Sequence, residues 1–225
     1  MGFIRKLLPG WIVESLTSSY RLLEKYGQRA SFAQARCVDA AGAPIPWYTY
    51  PALEYLSSLD FGGQAVLEFG SGASSLWWAR RAARVLSVEH DARWLETTRA
   101  QAPANLELKL ATDEAGYVAA GADRRFDVIV IDGIHRARCA QALGPLMADA
   151  ALVILDNSDW HPKTAARLRE SYDLLQVDFH GFGPINSYTW TTSLFFSRAF
   201  RPRPLTGRLP SYSAAALKQL ANEDD

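Results

Sequence analysis

The sequence lacks the features that mark several classes of protein. Its two cysteines, Cys37 and Cys139, form no Cys-x-x-Cys pair and no cluster with histidine, which argues against a structural zinc site and a disulfide framework. No apolar run approaches the ~20 residues that a membrane-spanning helix needs. The 24 basic and 24 acidic side chains cancel, so no net positive field attracts the phosphates of nucleic acid. We therefore expect a cytoplasmic protein with no nucleic-acid partner.

What the sequence does contain is the composition of an ordinary globular protein, with 48% hydrophobic and 21% charged residues. We divide the chain into a helical N-terminal extension (residues 1–43), an α/β domain (44–200) and a peripheral C-terminal tail (201–225). In the extension, apolar residues recur at helical spacing from Trp11 to Tyr26, and Gly27 ends the pattern. Such a helix packs on the domain, contacts a membrane surface, or pairs with a second copy in a homodimer.

Short apolar segments in the central part of the chain alternate with helical patterns. The predicted strands are Ala65–Phe69, Val85–Glu89, Leu106–Leu110, Phe126–Ile131 and Ala151–Leu155. Because most of them are continuous runs of Val, Ile and Leu, they are expected to be parallel and covered on both faces. Two later segments, Leu174–Phe179 and Ser193–Arg198, have only a loop between them and must pair antiparallel. The predicted fold is a doubly wound, mostly parallel seven-stranded α/β sheet whose last strand is antiparallel.

Each of the five parallel strands ends at, or is closely followed by, an acidic residue. These acids are Glu68, Glu89, Asp113, Asp132 and Asp156. In an open parallel sheet, ligands bind beyond the carboxyl ends of the strands, where these acids lie. The Gly70-Ser71-Gly72 turn allows a ligand to approach the backbone closely. Glu89 follows Glu68 by about 20 residues, the distance at which the ribose-binding acid of a nucleoside cofactor is expected.

The segment VLEFGSG at residues 66–72, with an antiparallel last strand at Ser193–Arg198, resembles class I S-adenosylmethionine-dependent methyltransferases, specifically bacterial small-molecule or glycan methyltransferases. The resemblance implies that S-adenosylmethionine is the cofactor and that Glu68, Gly70 and Gly72 line its methionine moiety. It also implies that Glu89 binds the ribose hydroxyls, that His90 lies against the adenine, and that Asp113 lies near the adenine amine. The further cofactor-binding residues implied by the resemblance are Ser71, Asp132 and Ser74, which stands where the family has its third glycine.

A second group of polar residues lies at the ends of the fourth and fifth strands. Asp132, Asp156 and Asn157 offer two carboxylates and an amide, the oxygen ligands that Mg²⁺ prefers. Bound Mg²⁺ would lower the pKa of an acceptor hydroxyl. The group resembles the site of the family's divalent-metal O-methyltransferases, which have a lysine base three residues after the first acid. His135 occupies that place, so His135 and Asp132 are the predicted catalytic residues. Without a metal, the same residues fit a turn, a helix cap and a hydrogen-bonded loop.

Aromatic residues are concentrated in two loops that should overhang the same edge of the sheet. Trp47 and Tyr48 precede the first strand, and Tyr188 and Trp190 lie between the last two strands. Their rings would stack on a sugar or aromatic acceptor, or else cap the sheet. Together with the resemblance, these residues predict O-methylation of a small molecule or glycan.

Two alternative functions fit part of the pattern. An NAD(P)-dependent oxidoreductase uses a similar glycine turn, but it needs a third glycine where this chain has Ser75, and a parallel sixth strand. A non-catalytic nucleoside-binding or scaffold protein would keep the pocket and use the N-terminal helix to assemble complexes.

Overall fold

The computed structural model describes residues 8–217. The β-strands are β1 (Ala65–Phe69), β2 (Arg84–Glu89), β3 (Leu106–Leu110), β4 (Phe126–Ile131), β5 (Met147–Asp156), β6 (Leu175–Gly181) and β7 (Trp190–Phe196). The α-helices are α1 (Gly10–Tyr20), α2 (Gln28–Gln34), α3 (Tyr50–Ser57), α4 (Ala73–Ala79), α5 (Ala92–Arg99), α6 (Glu114–Val118), α7 (Arg136–Gln141) and α8 (Pro162–Tyr172). A π-helical segment, Arg21–Lys25, continues α1, and a 3₁₀ turn spans Gly144–Leu146.

The strands form one sheet in the order β3-β2-β1-β4-β5-β7-β6. Strands β1 to β5 pair in parallel, and β7 is antiparallel to both of its neighbours, β5 and β6. The predicted fold class is therefore confirmed, including the antiparallel last strand. Because β5 pairs with the antiparallel β7 and not with a parallel sixth strand, the topology does not favour the oxidoreductase alternative.

Alternating side chains of the parallel strands build two hydrophobic cores, one on each face of the sheet. In β1, Val66 belongs to one core while Leu67 belongs to the other. In β4, Val130 and Ile131 are divided between the cores in the same way. Successive side chains of a strand point to opposite faces, so a strand that is apolar at every position must be covered by helices on both sides.

The structure extends or shortens several predicted elements. Strand β5 begins at Met147 instead of Ala151, and β7 spans Trp190–Phe196 instead of Ser193–Arg198. Helices α2, α6 and α8 have no counterpart in the predicted elements. The sequence of α2, QRASFAQ, has one large apolar residue and therefore no apolar stripe. In α8, the residues that face the core are Thr164, Ala165 and Leu168, which form an equally weak pattern.

The two halves of the N-terminal extension differ in their packing. Helix α1 has no buried residue, and Trp11 is 73% exposed. By contrast, the ring of Tyr26 packs against Tyr50 at 4.9 Å, and Cys37 lies in the core. No helix within residues 8–217 is long and apolar enough to cross a membrane. Contact of α1 with a membrane surface or a second copy stays a prediction, as do the domain boundaries at residues 43 and 200. Residues 1–7 and 218–225 lie outside the described residues.

Candidate functional site

A cavity of about 590 Å³ opens at the carboxyl ends of the parallel strands. Its size lies within the range usual for small-molecule sites. The loops after β1, β2, β4 and β5 line it, together with part of the segment after α2, one side of α5 and the loop between β6 and β7. Of the predicted site residues, the cavity lining includes Gly70, Ser71, Gly72, Ser74, Glu89, His90, Asp132, Asp156, Asn157, Trp47, Tyr188 and Trp190.

The glycine turn after β1 touches the loop after β4 backbone to backbone. Gly70 has a backbone angle φ of +103°, which residues with a side chain rarely adopt. Its amide donates a hydrogen bond to the carbonyl of Val88 at 2.8 Å. A Cβ atom on Gly70 would lie 2.8 Å from the backbone of Gly133. Glycine at position 70 is therefore required by both the backbone angle and the contact.

Glu89 joins the glycine turn to the end of β2. Its Oε2 accepts hydrogen bonds from the amide (2.9 Å) and the hydroxyl (3.2 Å) of Ser71. Its Oε1 accepts from the amides of His90 and Asp91 at 2.8 and 3.0 Å, and the His90 Nδ1 atom lies 2.8 Å away. The three backbone amides hold the Glu89 carboxylate at the cavity wall, and the hydroxyls of a ribose would compete with the Ser71 hydroxyl and the His90 ring for its oxygens.

Trp94 also lines the cavity, although the sequence interpretation did not include it. Its indole nitrogen donates to the carbonyl of Ser71, and the side chain is 56% exposed. A Cβ atom on Gly72 would lie 3.5 Å from that nitrogen, so a side chain there would fill the space between the turn and the ring. Helical side chains point back toward the N-terminus of the helix, which in α5 faces the cavity. An aromatic residue in the first turn of α5 was therefore the signal from which the contact of Trp94 with the cavity could have been predicted.

Glu68 does not lie where the resemblance implied. It is fully buried behind the glycine turn, where the hydroxyls of Ser75 and Ser87 donate to its Oε2, and it is not part of the cavity lining within residues 8–217. Burial raises the pKa of Glu68 to about 7, against the opposing effect of nearby serine hydroxyls. The prediction that Glu68 contacts the methionine moiety is therefore corrected: its carboxylate contacts serine hydroxyls inside the protein.

Asp113 and His135 also point away from the described cavity lining. The carboxylate of Asp113 caps α6 by accepting from the amide of Gly116 at 2.8 Å. The His135 Nδ1 atom lies 3.2 Å from the Glu114 carboxylate, and its ring packs against Tyr117. A left-handed backbone at His135, φ +53°, turns the side chain to that side. In this structure neither residue is placed to act as predicted.

The three predicted metal ligands do not fit a metal ion, because an arginine already occupies the space between them. The Arg136 guanidinium donates to Asp132 Oδ1 and to Asn157 Oδ1, both at 3.1 Å. The Asp156 carboxylate faces elsewhere and accepts from Trp190 Nε1 at 3.1 Å and from the Thr192 hydroxyl. Within the described part of the chain, no three His, Cys, Asp or Glu side chains are grouped to hold a metal. The expectation of a Mg²⁺ site is corrected accordingly.

Asp132 and Asp156 form a pair of buried acids at the floor of the cavity. Burial raises the pKa of Asp132 to about 6, and the positive charge of Arg136 opposes the rise. Burial and the neighbouring Asp132 raise the pKa of Asp156 well above its usual range. Asp132 keeps 20% of its side chain exposed, so it is the more accessible acid of the pair.

The aromatic residues surround the mouth of the cavity with one exception. Trp47 and Tyr188 line it and are 46% and 50% exposed. Tyr188 lies between Trp190 and Trp160, with ring centroids at 6.1 and 6.5 Å. Tyr48 is completely buried, so its predicted contact with an acceptor is wrong for this structure. Trp160 lines the cavity but was not predicted, since the sequence offers only its position shortly after Asp156.

The segment after α2 closes one side of the cavity, which the sequence did not indicate. Ala35, Arg36 and Cys37 line it. Cys37 lies close enough to Asp132 and Asp156 that their charges add to the effect of burial, which raises the pKa of its thiol to about 12. The thiol is therefore neutral and unreactive near pH 7. No motif marks this segment, because only the folded chain places it beside β4 and β5.

Solved structures share the fold of this chain. A methyltransferase from Geobacter sulfurreducens is 19% identical with a TM-score of 0.51, and the match covers 87% of this chain and 93% of that chain. The precorrin-6y C5,15-methyltransferase from Geobacter metallireducens is 13% identical with a TM-score of 0.52, covering 65% and 86%. No protein-family model matches the chain, and no curated protein matches it. The chain has the Rossmann-like methyltransferase fold that the resemblance implied.

Proposed function

We propose that this protein is an S-adenosylmethionine-dependent methyltransferase that methylates a hydroxyl group of a small-molecule or glycan acceptor. The proposal depends above all on one observation. The glycine turn at Gly70 and Gly72 and the acid Glu89 are hydrogen-bonded to each other at the wall of one cavity, and that cavity extends to Asp132. The shared fold raises the expectation of a methyltransferase but does not establish the activity.

The residues present fit the proposed cofactor. The Glu89 carboxylate is the acceptor that a ribose diol needs, and Gly70 and Gly72 line the cavity without side chains, where the amino-acid part of the molecule would lie. His90 is half-exposed next to Glu89 and is available to contact the adenine. When bound, S-adenosylmethionine supplies a methyl group on a positively charged sulfur, and transfer of that group leaves S-adenosylhomocysteine.

In the proposed reaction, Asp132 accepts the proton that the acceptor hydroxyl loses. Its Oδ1 accepts a hydrogen bond from Arg136, and its side chain reaches the cavity. Because burial raises its pKa, the Asp132 carboxylate is a stronger base than an exposed aspartate and is suited to take a proton as the new oxygen–carbon bond forms. With the cofactor bound, the residues of this chain would contribute mainly by positioning the acceptor hydroxyl next to the methyl group, while Asp132 takes the proton that the hydroxyl loses.

The mouth of the cavity favours an acceptor with a ring. The exposed rings of Trp47, Trp160 and Tyr188 offer flat apolar surfaces for a sugar or an aromatic group. The Trp47 indole nitrogen donates to Asn186 Oδ1 at 2.6 Å, which holds the ring at the rim and orients the Asn186 amide. The amide NH₂ group of Asn186 is a donor suited to an acceptor oxygen.

Calorimetry with S-adenosylhomocysteine tests the proposal. We expect micromolar binding by the intact protein. We expect Glu89→Ala to weaken it by about 10- to 100-fold, because the ribose hydroxyls lose hydrogen bonds to a charged group. Glu89→Gln keeps the shape and one acceptor oxygen, so its affinity should fall between those of the wild type and Glu89→Ala.

Glu96→Ala is the matched control, since Glu96 lies on the neighbouring helix α5 and its side chain is 68% exposed. It should bind like the wild type. Thermal unfolding of each variant separates lost binding from lost structure, because Glu89 also accepts bonds that hold the turn together. Failure of the folded wild type to bind S-adenosylhomocysteine would remove the proposal and leave the scaffold alternative.

A further inference from the structure

Arg136 uses every hydrogen-bond donor that a guanidinium has. The group carries five N–H bonds. Nε donates to the carbonyl of Gly133 at 3.0 Å, and Nη2 donates to the carbonyl and the carboxylate of Asp132 at 3.2 and 3.1 Å. Nη1 donates to the carbonyl of Asp156 and to Asn157 Oδ1. The side chain is 14% exposed, so these contacts are largely shielded from water.

The acceptors around Arg136 have the chemistry of a divalent-cation site. They are carboxylate, amide and backbone carbonyl oxygens from the ends of β4 and β5, which are the ligands that Mg²⁺ and Ca²⁺ take. A metal ion cannot enter while the guanidinium is present, because both would need the same oxygen atoms. Arginine also stays charged at any pH at which the protein is folded, so the positive charge is permanent.

We propose that Arg136 is a built-in replacement for a divalent cation, which fixes the ends of β4 and β5 and places a permanent positive charge beside Asp132 at the cavity wall. In the proposed methyltransferase, Arg136 is a positioning residue: it holds Asp132 toward the cavity and needs no metal cofactor. This positioning role rests on the proposed function. The replacement of a cation by the guanidinium, among oxygen atoms that would suit a metal ion, does not.

The metal-binding test uses Mn²⁺ and the intact protein. Wild-type protein should show no bound Mn²⁺ by electron paramagnetic resonance, and its thermal midpoint should not respond to the metal. Arg136→Ala should bind Mn²⁺ with a dissociation constant below about 1 mM, since the oxygen atoms are then unoccupied. At 10 mM Mn²⁺, about ten times that dissociation constant, its midpoint should rise by at least about 3 °C.

Two further variants locate the effect. Arg138→Ala is the matched control, because Arg138 lies on the same helix, is 61% exposed and pairs with Glu114. It should behave like the wild type. The double variant Arg136→Ala/Asp132→Asn should lose the gained Mn²⁺ binding, because one carboxylate ligand has been removed.

Each outcome decides the inference. If Arg136→Ala unfolds without metal, recovery of its fold on addition of Mn²⁺ supports the replacement, and failure to recover overturns it. A folded Arg136→Ala that ignores Mn²⁺ also overturns it. The inference is also overturned if the wild-type protein binds Mn²⁺ and the Asp132→Asn variant does not. None of these results depends on S-adenosylhomocysteine, so they are separate from the test of the proposed function.

Discussion

At the scale of single residues, burial decides which acids can meet a ligand. Glu68 and Glu89 both lie at the ends of neighbouring parallel strands, yet Glu68 faces the hydroxyls of Ser75 and Ser87 inside the protein while Glu89 faces the cavity. The sequence presents the two acids alike. They differ in the direction of their side chains at the strand ends, which depends on the tertiary structure.

The burial of Glu68 predicts a pH-dependent stability. Its pKa rises from 4.5 to about 7 on folding. The folded state therefore binds the Glu68 proton more tightly than the unfolded state, and this stabilisation is fully present below pH 4.5. The stabilisation is lost as the pH rises through about 7. Glu68→Gln cannot ionise. The free energy of unfolding of this variant, relative to the wild type, should therefore increase between pH 5 and pH 8 by at most about 3 kcal/mol. Urea unfolding at the two pH values measures the difference.

Glu107→Gln provides the comparison for this measurement. Glu107 lies in strand β3 of the same sheet, is 53% exposed, and has its pKa lowered by a hydrogen bond from Arg124. It titrates below the tested range, so its substitution should give the same difference at pH 5 and pH 8. A pH-independent difference for Glu68→Gln as well would contradict the assigned burial effect.

At the scale of elements, the site is built where the loops after β1 and β4 meet. Gly70 and Gly133 face each other there, and a Cβ atom on Gly133 would collide with the hydroxyl of Tyr117 and with the backbone of Gly70. The close approach lets the glycine turn and Asp132 line one cavity. Arg136 then connects the loop after β4 to the end of β5.

Gly70→Ala should destabilise the protein by about 2–4 kcal/mol. The substitution strains a backbone at φ +103° and forces a methyl group to within 2.8 Å of Gly133. Urea unfolding followed by circular dichroism measures the loss. Gly63→Ala makes the same change where nothing lies within 4 Å, so it should be nearly neutral. Equal effects of the two substitutions would show that the loop contact is not the cause.

At the scale of the whole molecule, the N-terminal extension has two different roles. Helix α1 buries no residue, whereas the chain from Tyr26 onward joins the fold. The Gln28 amide donates to the carbonyl of Gly183 at 3.0 Å, in the loop between β6 and β7. The same segment brings Arg36 and Cys37 to the cavity. The cavity is therefore assembled from both ends of the chain.

Two truncations test this division. A chain that starts at Arg21 should keep the thermal midpoint to within about 2 °C, because residues 8–20, the removed part that the structure describes, have no buried side chain. A chain that starts at Val38 should lose at least about 3 kcal/mol of unfolding free energy, since it removes buried contacts and leaves polar groups unpaired. It should also bind S-adenosylhomocysteine more weakly, as one wall of the cavity is missing. Similar losses in both truncations would contradict the division.

The sequence by itself determined the positions of the strands along the chain, their directions and the candidate acids. Continuous apolar runs require burial on both faces, and the short link between the last two strands leaves no room for a helix. The seven strands lie within a few residues of their predicted positions. The glycine turn and Glu89 are also local features, because strand ends in a parallel sheet share one edge.

Only the tertiary structure decided which side chains point into the cavity. Glu68, Asp113, His135 and Tyr48 carry the right chemistry, but they face the interior or a neighbouring helix. Trp94, Trp160 and Arg36 reach the cavity with no motif to mark them. The direction of a side chain depends on backbone angles and on neighbours that are distant in sequence, as the left-handed His135 and the bonds of Arg136 demonstrate. Periodicity and spacing contain neither kind of information.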